Sequence, residues 1–148
     1  MTVNENNLEK AKNLLKKIPD GETKILRAQD DNFNRKILEW GKFNIFVGIE
    51  NNFRGRDKPK QLDSGLNHVL AKIASKNNVA MGIDLEEISK LNTKSKMKTL
   101  ARIKQNIKIC RKAKCKIRCL NYLDVKNATS FMITLGASTQ QAKEATSF

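Results

Sequence analysis

The stretch from Leu62 to Leu85 (LDSGLNHVLAKIASKNNVAMGIDL) constrains the fold more than any other part of the chain. Asp63 or Ser64 can cap a helix, and apolar residues recur after it with helical spacing. The predicted buried face is formed by Leu66, Val69, Leu70 and Ile73, and the predicted exposed face by Ser64, His68, Lys72 and Ser75. From Val79 the chain becomes a short apolar run, which is typical of a strand buried on both faces of a parallel sheet. The stretch therefore predicts a turn, a helix and a strand of an α/β protein.

The rest of the chain alternates between the same two patterns. Helical periodicity or capping residues predict further helices over residues 8–18, 30–41, from 94, over 128–135 and from 138 or 139. Apolar runs rich in β-formers predict strands at 23–28, 43–49 and 116–120, which makes four with the strand at 79–85. This alternation is typical of right-handed βαβ units on a parallel sheet. With 148 residues, the chain fits one domain and is short for a closed eight-stranded barrel of roughly 250 residues.

The charge of the chain points to a polyanionic partner. Lys and Arg number 29 against 15 acidic residues, a net charge of +14. The segment from Lys94 to Arg118 contains eleven of these cations and no acid, although ordinary surface helices interleave both signs. Its apolar seam at Leu100, Ile103, Ile107 and Cys110 predicts that Lys98, Arg102, Lys108 and Lys112 project from the opposite side. A second basic group, formed by Arg54, Arg56, Lys58 and Lys60, lies in the predicted loop before Asp63. For the helix we favour phosphate contact over a merely solvated face.

Residues that could carry catalysis are few. His68 is the only histidine, and a metal site would need neighbouring ligands that this chain does not supply, so we predict neither a metal site nor a catalytic residue. His68 can contact an RNA phosphate or 2′-OH, or it can hydrogen-bond to Asp63 and fix the loop. Ser64 is explained by capping and needs no role as a nucleophile.

The cysteines and the ends of the chain indicate the cellular setting. The chain has three cysteines, Cys110, Cys115 and Cys119, and an odd number favours reduced thiols over a disulfide framework. Because no fourth ligand lies nearby, packing in the core is favoured over zinc binding. The first twenty residues do not resemble a secretory signal, and no run of 18 or more apolar residues is present. We therefore expect a cytoplasmic protein that has no membrane partner.

Residues 63–85 closely resemble the signature of a known family, archaeal and eukaryotic ribonuclease P protein component 3, the thirty-kilodalton subunit. In that family Asp-Ser-Gly precedes an apolar residue, Asn or Asp, and His-Val-Leu-Ala, and Asn-Asn-Val-Ala and an apolar strand follow. The likeness extends from about Glu22 to the C-terminus and includes the closing pattern from Asn127 to Gly136.

The resemblance implies an incomplete TIM-like barrel, related to the polymerase-and-histidinol-phosphatase (PHP) superfamily. It implies an RNA-binding subunit of the enzyme that removes the 5′ leader from precursor tRNA, with the RNA as catalyst and magnesium held by RNA, so the isolated chain is neither catalytic nor cofactor-bound. The implied partners are the ribonuclease P RNA, precursor tRNA indirectly, and a small ferredoxin-like subunit in a heterotetramer. The expected RNA-facing residues are Arg54, Arg56, Lys58, Lys60, His68, Lys72, Lys98, Arg102, Lys108 and Lys112, and the expected loop-structuring residues are Asp63, Ser64, Gly65 and Asn67.

The chain departs from the family pattern at its start. Relatives begin with two further strand-helix units that have no counterpart here, so we expect a single component 3-like domain over residues 1–148. It is a shortened member, a fragment, or a protein whose missing part is supplied elsewhere. Two other functions stay open: a metal-dependent phosphoesterase of the PHP superfamily, and a protein that binds structured RNA in general.

Overall fold

The protein is an α/β structure in which helices alternate with the strands of one parallel sheet. A computed structural model describes residues 1–51 and 63–147. The strands are β1 (Thr2–Val3), β2 (Ile25–Arg27), β3 (Ile45–Val47), β4 (Ala80–Asp84) and β5 (Ile117–Leu120). The helices are α1 (Leu8–Lys17), α2 (Asp31–Trp40), α3 (His68–Lys76), α4 (Leu85–Ser89), α5 (Thr93–Ala113), α6 (Val125–Thr134) and α7 (Thr139–Thr146), and a 3₁₀ turn spans Ile49–Asn51.

The five strands pair in sequence order, β1-β2-β3-β4-β5, and all are parallel. In this register Ile25 lies beside Ile45, and Ile45 beside Ala80. Within the described residues β1 and β5 do not pair with each other, so the sheet is not closed. This confirms the predicted α/β class with an open parallel sheet, but the prediction of four strands was wrong. Strand β1 was missed because two residues are too few to show the alternation that is typical of a strand.

The two faces of the sheet bury different amounts of apolar surface. Leu26, Phe46, Met81 and Cys119 point toward the helices and join the main core. The alternate residues Ile25, Ile45, Val47 and Leu120 form a small second cluster on the other face. Gly82 completes that face, where an added Cβ would lie 2.7 Å from Ile45 Cγ2. The helices therefore cover one face of the sheet, as in the outer layer of a barrel.

Helix α3 begins later than its sequence predicts. Its cap is Asn67, whose Oδ1 accepts a hydrogen bond from the Leu70 backbone N–H at 2.9 Å, so Asp63 and Ser64 precede the helix. The phase of the buried face shifts accordingly, since Val69 is 55% exposed and Ser64 is only 1% exposed. The reason is that residues 63–66 form a separate turn, packed between α5 and the 3₁₀ turn.

Helix α5 is the longest helix, with 21 residues from Thr93 to Ala113. The side chain of Asn92 caps its first turn, and Lys114 ends it in the left-handed conformation (φ 56°). Its buried stripe includes Ile103, Ile107 and Cys110 and lies on the main core. None of the helices that the structure describes is both long and apolar enough to cross a membrane.

Candidate nucleic-acid interface

Five lysines occupy the exposed side of α5, opposite its buried stripe. At about 100° per residue they fall within roughly one third of the helix circumference, and the first and last are about 27 Å apart along the axis. In the part of the chain that the structure describes, no carboxylate pairs with any of them. We call this set the lysine row; it consists of Lys94, Lys98, Lys104, Lys108 and Lys112. Lys94 and Lys104 were missing from the sequence prediction, although the same helical spacing could have found them.

Arg102 does not belong to this exposed surface, so the prediction that it projects from the exposed side of α5 was wrong. It is only 4% exposed, and its Nε donates a hydrogen bond to the Asp63 carbonyl oxygen at 3.1 Å. One helical turn separates it from Lys98, but it lies at the edge of the buried stripe, where the turn before α3 covers it. Helical periodicity alone cannot distinguish such an edge position from an exposed one.

The turn before α3 is organised by its own side chains. Asp63 Oδ1 accepts a hydrogen bond from the Gly65 backbone N–H at 3.0 Å, and Ser64 Oγ donates to the Leu66 carbonyl at 3.2 Å. Gly65 has a φ of +80°, and an added Cβ would lie 2.2 Å from the Ile49 carbonyl oxygen. Asn67 then caps the helix. Asp63, Ser64 and Gly65 therefore make the contacts of this turn, and Asn67 caps the helix that follows it.

The exposed side of α3 lies next to the lysine row. His68 and Lys72 are exposed, and His68 makes no hydrogen bond to Asp63. Ser75 Oγ donates to the Lys114 carbonyl at 2.9 Å, which fixes the end of α3 beside the end of α5. Because each of these helices leads into a parallel strand, they run in the same direction on the same face of the sheet. Together their exposed sides form one basic surface.

The other predicted basic group cannot be placed on this surface. Arg54, Arg56, Lys58 and Lys60 lie outside the described residues. The flanking residues are Asn51, at the end of the 3₁₀ turn, and Asp63, at the start of the turn before α3.

The three cysteines are free thiols packed in the core, as predicted. Burial raises the pKa of Cys119 to about 11. A hydrogen bond between the thiols of Cys110 and Cys115 raises the pKa of Cys110 and lowers that of Cys115. Across residues 1–51 and 63–147, no three His, Cys, Asp or Glu side chains are placed so that they could hold a metal ion.

A polar cluster at the carboxyl ends of β2, β4 and β5 was not predicted. Arg27 forms two contacts with Glu87, Nη1 to Oε1 at 3.1 Å and Nη2 to Oε2 at 3.2 Å. Asp84 caps α4 through the Glu87 backbone N–H at 3.1 Å and accepts a hydrogen bond from Asn121 Nδ2 at 2.8 Å. The sequence contained one signal for this cluster, namely the polar residues that directly follow predicted strands. Parallel strands bring such residues to one edge of a sheet.

Glu50 lies beside this cluster at the carboxyl end of β3 and is only 5% exposed. Burial raises its pKa from 4.5 to about 7. Its own backbone N–H and Arg27 oppose this effect, and the negative charges of Glu87 and Asp84 add to it. Glu50 and Asn106 also line an internal cavity of about 10 Å³ between the 3₁₀ turn and α5. Near neutral pH, a buried carboxyl group is therefore close to its titration midpoint.

Comparison with known proteins identifies what the chain is similar to. No protein-family model matches it. Proteins named ribonuclease P protein component 3 from two strains of Methanococcus maripaludis, C7 and C6, are 28% and 29% identical over 111 and 112 residues. The chain is similar to ribonuclease P protein component 3. Each match covers 75% of this chain and 44% of the relative, so the chain spans less than half the length of the curated relatives it matches.

A solved structure shows the same fold. One chain in a cryo-EM structure of archaeal ribonuclease P with mature tRNA superposes with a TM-score of 0.75 at 16% sequence identity. The match covers 97% of this chain and 62% of that chain. The resemblance to ribonuclease P protein component 3 that residues 63–85 predicted is thereby confirmed, and the sheet and helices described here are arranged as in the archaeal structure.

The predicted RNA-facing residues of this component 3-like chain thus fall into three groups. Five are exposed on the adjoining sides of α3 and α5, one is buried, and four lie outside the described residues. The exposed five are His68, Lys72, Lys98, Lys108 and Lys112. Their roles in RNA contact stay predictions.

Proposed function

We propose that this chain is a protein subunit of ribonuclease P that binds and stabilises the catalytic RNA for removal of the 5′ leader from precursor tRNA. The observation that carries the proposal is the lysine row. Five cations lie along about 27 Å of one exposed helix side without a carboxylate partner among the described residues, on a fold shared with a chain of archaeal ribonuclease P.

The basic surface supports recognition of the RNA backbone rather than of its bases. Lysine ammonium groups neutralise phosphates and release counterions, a contribution that does not depend on sequence. Base stacking requires accessible aromatic rings, and every aromatic side chain that the structure describes is buried or half-buried. The chain would therefore bind a folded RNA whose phosphates are already arranged in space, and His68 could add a contact to a phosphate or a 2′-OH.

In this proposal the chain contributes binding and leaves the chemistry to the RNA. Magnesium would be held by the RNA, and the protein would need no cofactor of its own. A small ferredoxin-like subunit is the proposed protein partner, with a heterotetramer as the proposed assembly in the cytoplasm. The carboxylates of the polar cluster support this division, because Glu87 pairs with Arg27 and Asp84 caps a helix and binds Asn121. A metal-dependent phosphoesterase would instead need these groups free to bind a metal.

A reconstitution assay tests the proposal. Cleavage of precursor tRNA at low magnesium is measured with the ribonuclease P RNA and the other protein subunits encoded by the same genome, with and without this chain. We expect the chain to be inactive alone and to increase cleavage when it is added. Cleavage that is indifferent to the chain, or turnover by the chain alone, would refute the proposal.

A binding competition separates this function from general binding of structured RNA. The chain should prefer ribonuclease P RNA to a folded ribosomal RNA fragment of equal length at 150 mM salt. Equal affinity for the two RNAs would favour a general structured-RNA-binding protein.

A further inference from the structure

We propose that Arg102 and Asn106 are positioning residues, which hold the turn at residues 63–66 and thereby place the exposed side of α3 for RNA. This inference rests on the proposed function, because it assigns a role in RNA binding to two side chains that cannot themselves reach RNA. It also replaces the direct contact predicted for Arg102 from the sequence.

The contacts form a short ladder from one helix to one turn. Arg102 Nε donates to the Asp63 carbonyl oxygen at 3.1 Å, and Asn106 Nδ2 donates to the Ser64 carbonyl oxygen at 3.4 Å. The two donors are four residues apart on α5, so they lie one above the other on the same helix side. They therefore bind two successive carbonyl groups of the turn, which fixes both its position and its direction along α5.

Burial makes this ladder structural rather than an RNA contact. Arg102 is 4% exposed and Asn106 is 7% exposed, so neither side chain can touch a phosphate while the turn is in place. Ser64 is buried, so its carbonyl group needs a hydrogen-bond partner, and the turn belongs to no helix or strand that could supply one. The two side chains of α5 provide donors that the backbone of the turn lacks.

The other side of the turn is also fixed. Gly65 packs directly against the carbonyl oxygen of Ile49, where an added Cβ would lie 2.2 Å away. The turn is thus held between the 3₁₀ turn and α5. Of these two sides, α5 supplies the polar one, through the side-chain donors of Arg102 and Asn106.

The position of this turn determines the position of α3. Only three residues separate Ser64 from His68, and one of them, Asn67, caps the helix. At its other end, α3 is tied to α5 through Ser75 and the Lys114 carbonyl. Helix α5 and its C-terminal cap therefore contact the segment at both ends of α3, while the exposed side of α5 carries the lysine row. Loss of the ladder should displace His68 and Lys72 relative to that row.

Salt dependence of RNA binding distinguishes positioning from direct contact. We would measure binding of the ribonuclease P RNA encoded by the same genome to Arg102→Gln, to Asn106→Ala and, as matched control, to Lys98→Gln one helical turn away on the exposed side. The control should flatten the log-log salt slope by about 0.7 to 0.9, the loss expected for one phosphate contact. The two inner variants should keep the wild-type slope, because RNA meets the same cations once α3 has returned to its position in the complex. They should lose about fivefold in affinity, the factor that corresponds to about 1 kcal/mol for one hydrogen bond.

Two further measurements distinguish a positioning role from a loss of folding. Thermal unfolding identifies a variant that does not fold, and Asn106→Ser, a milder change than either inner variant, replaces it in that case. Hydrogen exchange at the backbone amides of Leu70 and Ala71, which donate to Asn67, should be faster in the inner variants and unchanged in the control. A slope that falls for Arg102→Gln as it does for the control would show direct contact and overturn the inference. So would wild-type affinity in folded inner variants whose only change is a lower melting temperature. If the wild-type chain does not prefer ribonuclease P RNA, the proposed function itself fails.

Discussion

The buried carboxyl group of Glu50 should make the stability of this protein depend on pH. Burial raises the pKa of Glu50 to about 7 in the folded chain, whereas in the unfolded chain the ordinary value of 4.5 applies. The folded state therefore binds the proton more tightly, and the group favours folding when it is protonated. Its contribution is fully present below about pH 4.5, declines as the pH rises, and is lost above about pH 7. The difference between the two pKa values corresponds to about 3 kcal/mol.

The surroundings of Glu50 explain why the protonated form is preferred. Asp84 and Glu87 add negative charge nearby, and Arg27, the cation on this side, is already paired with Glu87. Asn106 Oδ1 is buried on the same cavity and has no hydrogen-bond partner among the described residues. A protonated carboxyl group can donate a hydrogen bond into that cavity, directly or through one water, and a carboxylate cannot.

Replacement of Glu50 by Gln isolates this effect, because the amide has the shape of the protonated acid and does not titrate. Urea unfolding of wild type and Glu50→Gln is measured from pH 4.5 to pH 8.5. The variant should gain about 3 kcal/mol relative to wild type between the lowest and highest pH. Glu22→Gln, at an exposed site, serves as the control for the same chemical change made away from the interior. A difference between Glu50→Gln and wild type that stays constant with pH would refute the reasoning.

Three further outcomes are expected. Replacement of all five residues of the lysine row by Gln should lower the log-log salt slope of RNA binding by about 3.5 to 4.5 if each contacts one phosphate, and an unchanged slope would remove α5 from the interface. Gly65→Ala should destabilise the chain by about 2 kcal/mol or more in urea unfolding, because of its positive φ and the close Ile49 carbonyl, whereas Gly21→Ala, where a Cβ meets no atom within 4 Å, should lose only the cost of its φ of +101°. Arg27→Gln removes the cation that opposes protonation of Glu50, so NMR titration of the Glu50 carboxyl carbon should show a higher pKa than in wild type; a lower pKa would contradict the assigned electrostatics.

Much of the fold could be predicted from sequence because periodicity reports which residues are buried. The runs at 43–49 and 79–85 contain strands β3 and β4, and the apolar seam at Ile103, Ile107 and Cys110 is the buried stripe of α5. Strand β1 was missed because its two residues carry no period. Helix α6 begins at Val125, three residues before the predicted start, because Asp124 caps it. The capping residue is hard to identify from sequence in a polar segment, because several neighbouring residues could cap a helix as well as an Asp does.

The candidate site was less predictable, because it depends on contacts between distant segments. Arg102 and Lys98 look alike in sequence, and what separates them is a turn 39 residues away that covers one and leaves the other exposed. Glu50 reads as the first residue of a polar loop, yet the 3₁₀ turn carries it back into the interior. In both cases a segment that follows a regular element packs back against another element. Periodicity along the sequence does not predict such contacts between distant segments.

The energetics of α5 show why its inner side can stabilise the helix while its outer side carries unbalanced positive charge. Lys94 and Lys98, Lys104 and Lys108, and Lys108 and Lys112 are like-charged pairs four residues apart, each of which weakens a helix by about 0.2 to 0.5 kcal/mol. The total, on the order of 1 kcal/mol, is less than the burial of a single large apolar side chain of the inner stripe contributes. The inner side therefore sets the stability of the helix, and the outer side can keep an unbalanced row of charge at little cost. Because that repulsion is relieved by a bound polyanion or by screening, binding of RNA should raise the melting temperature more at 50 mM than at 500 mM salt, and a shift independent of salt would place the RNA elsewhere.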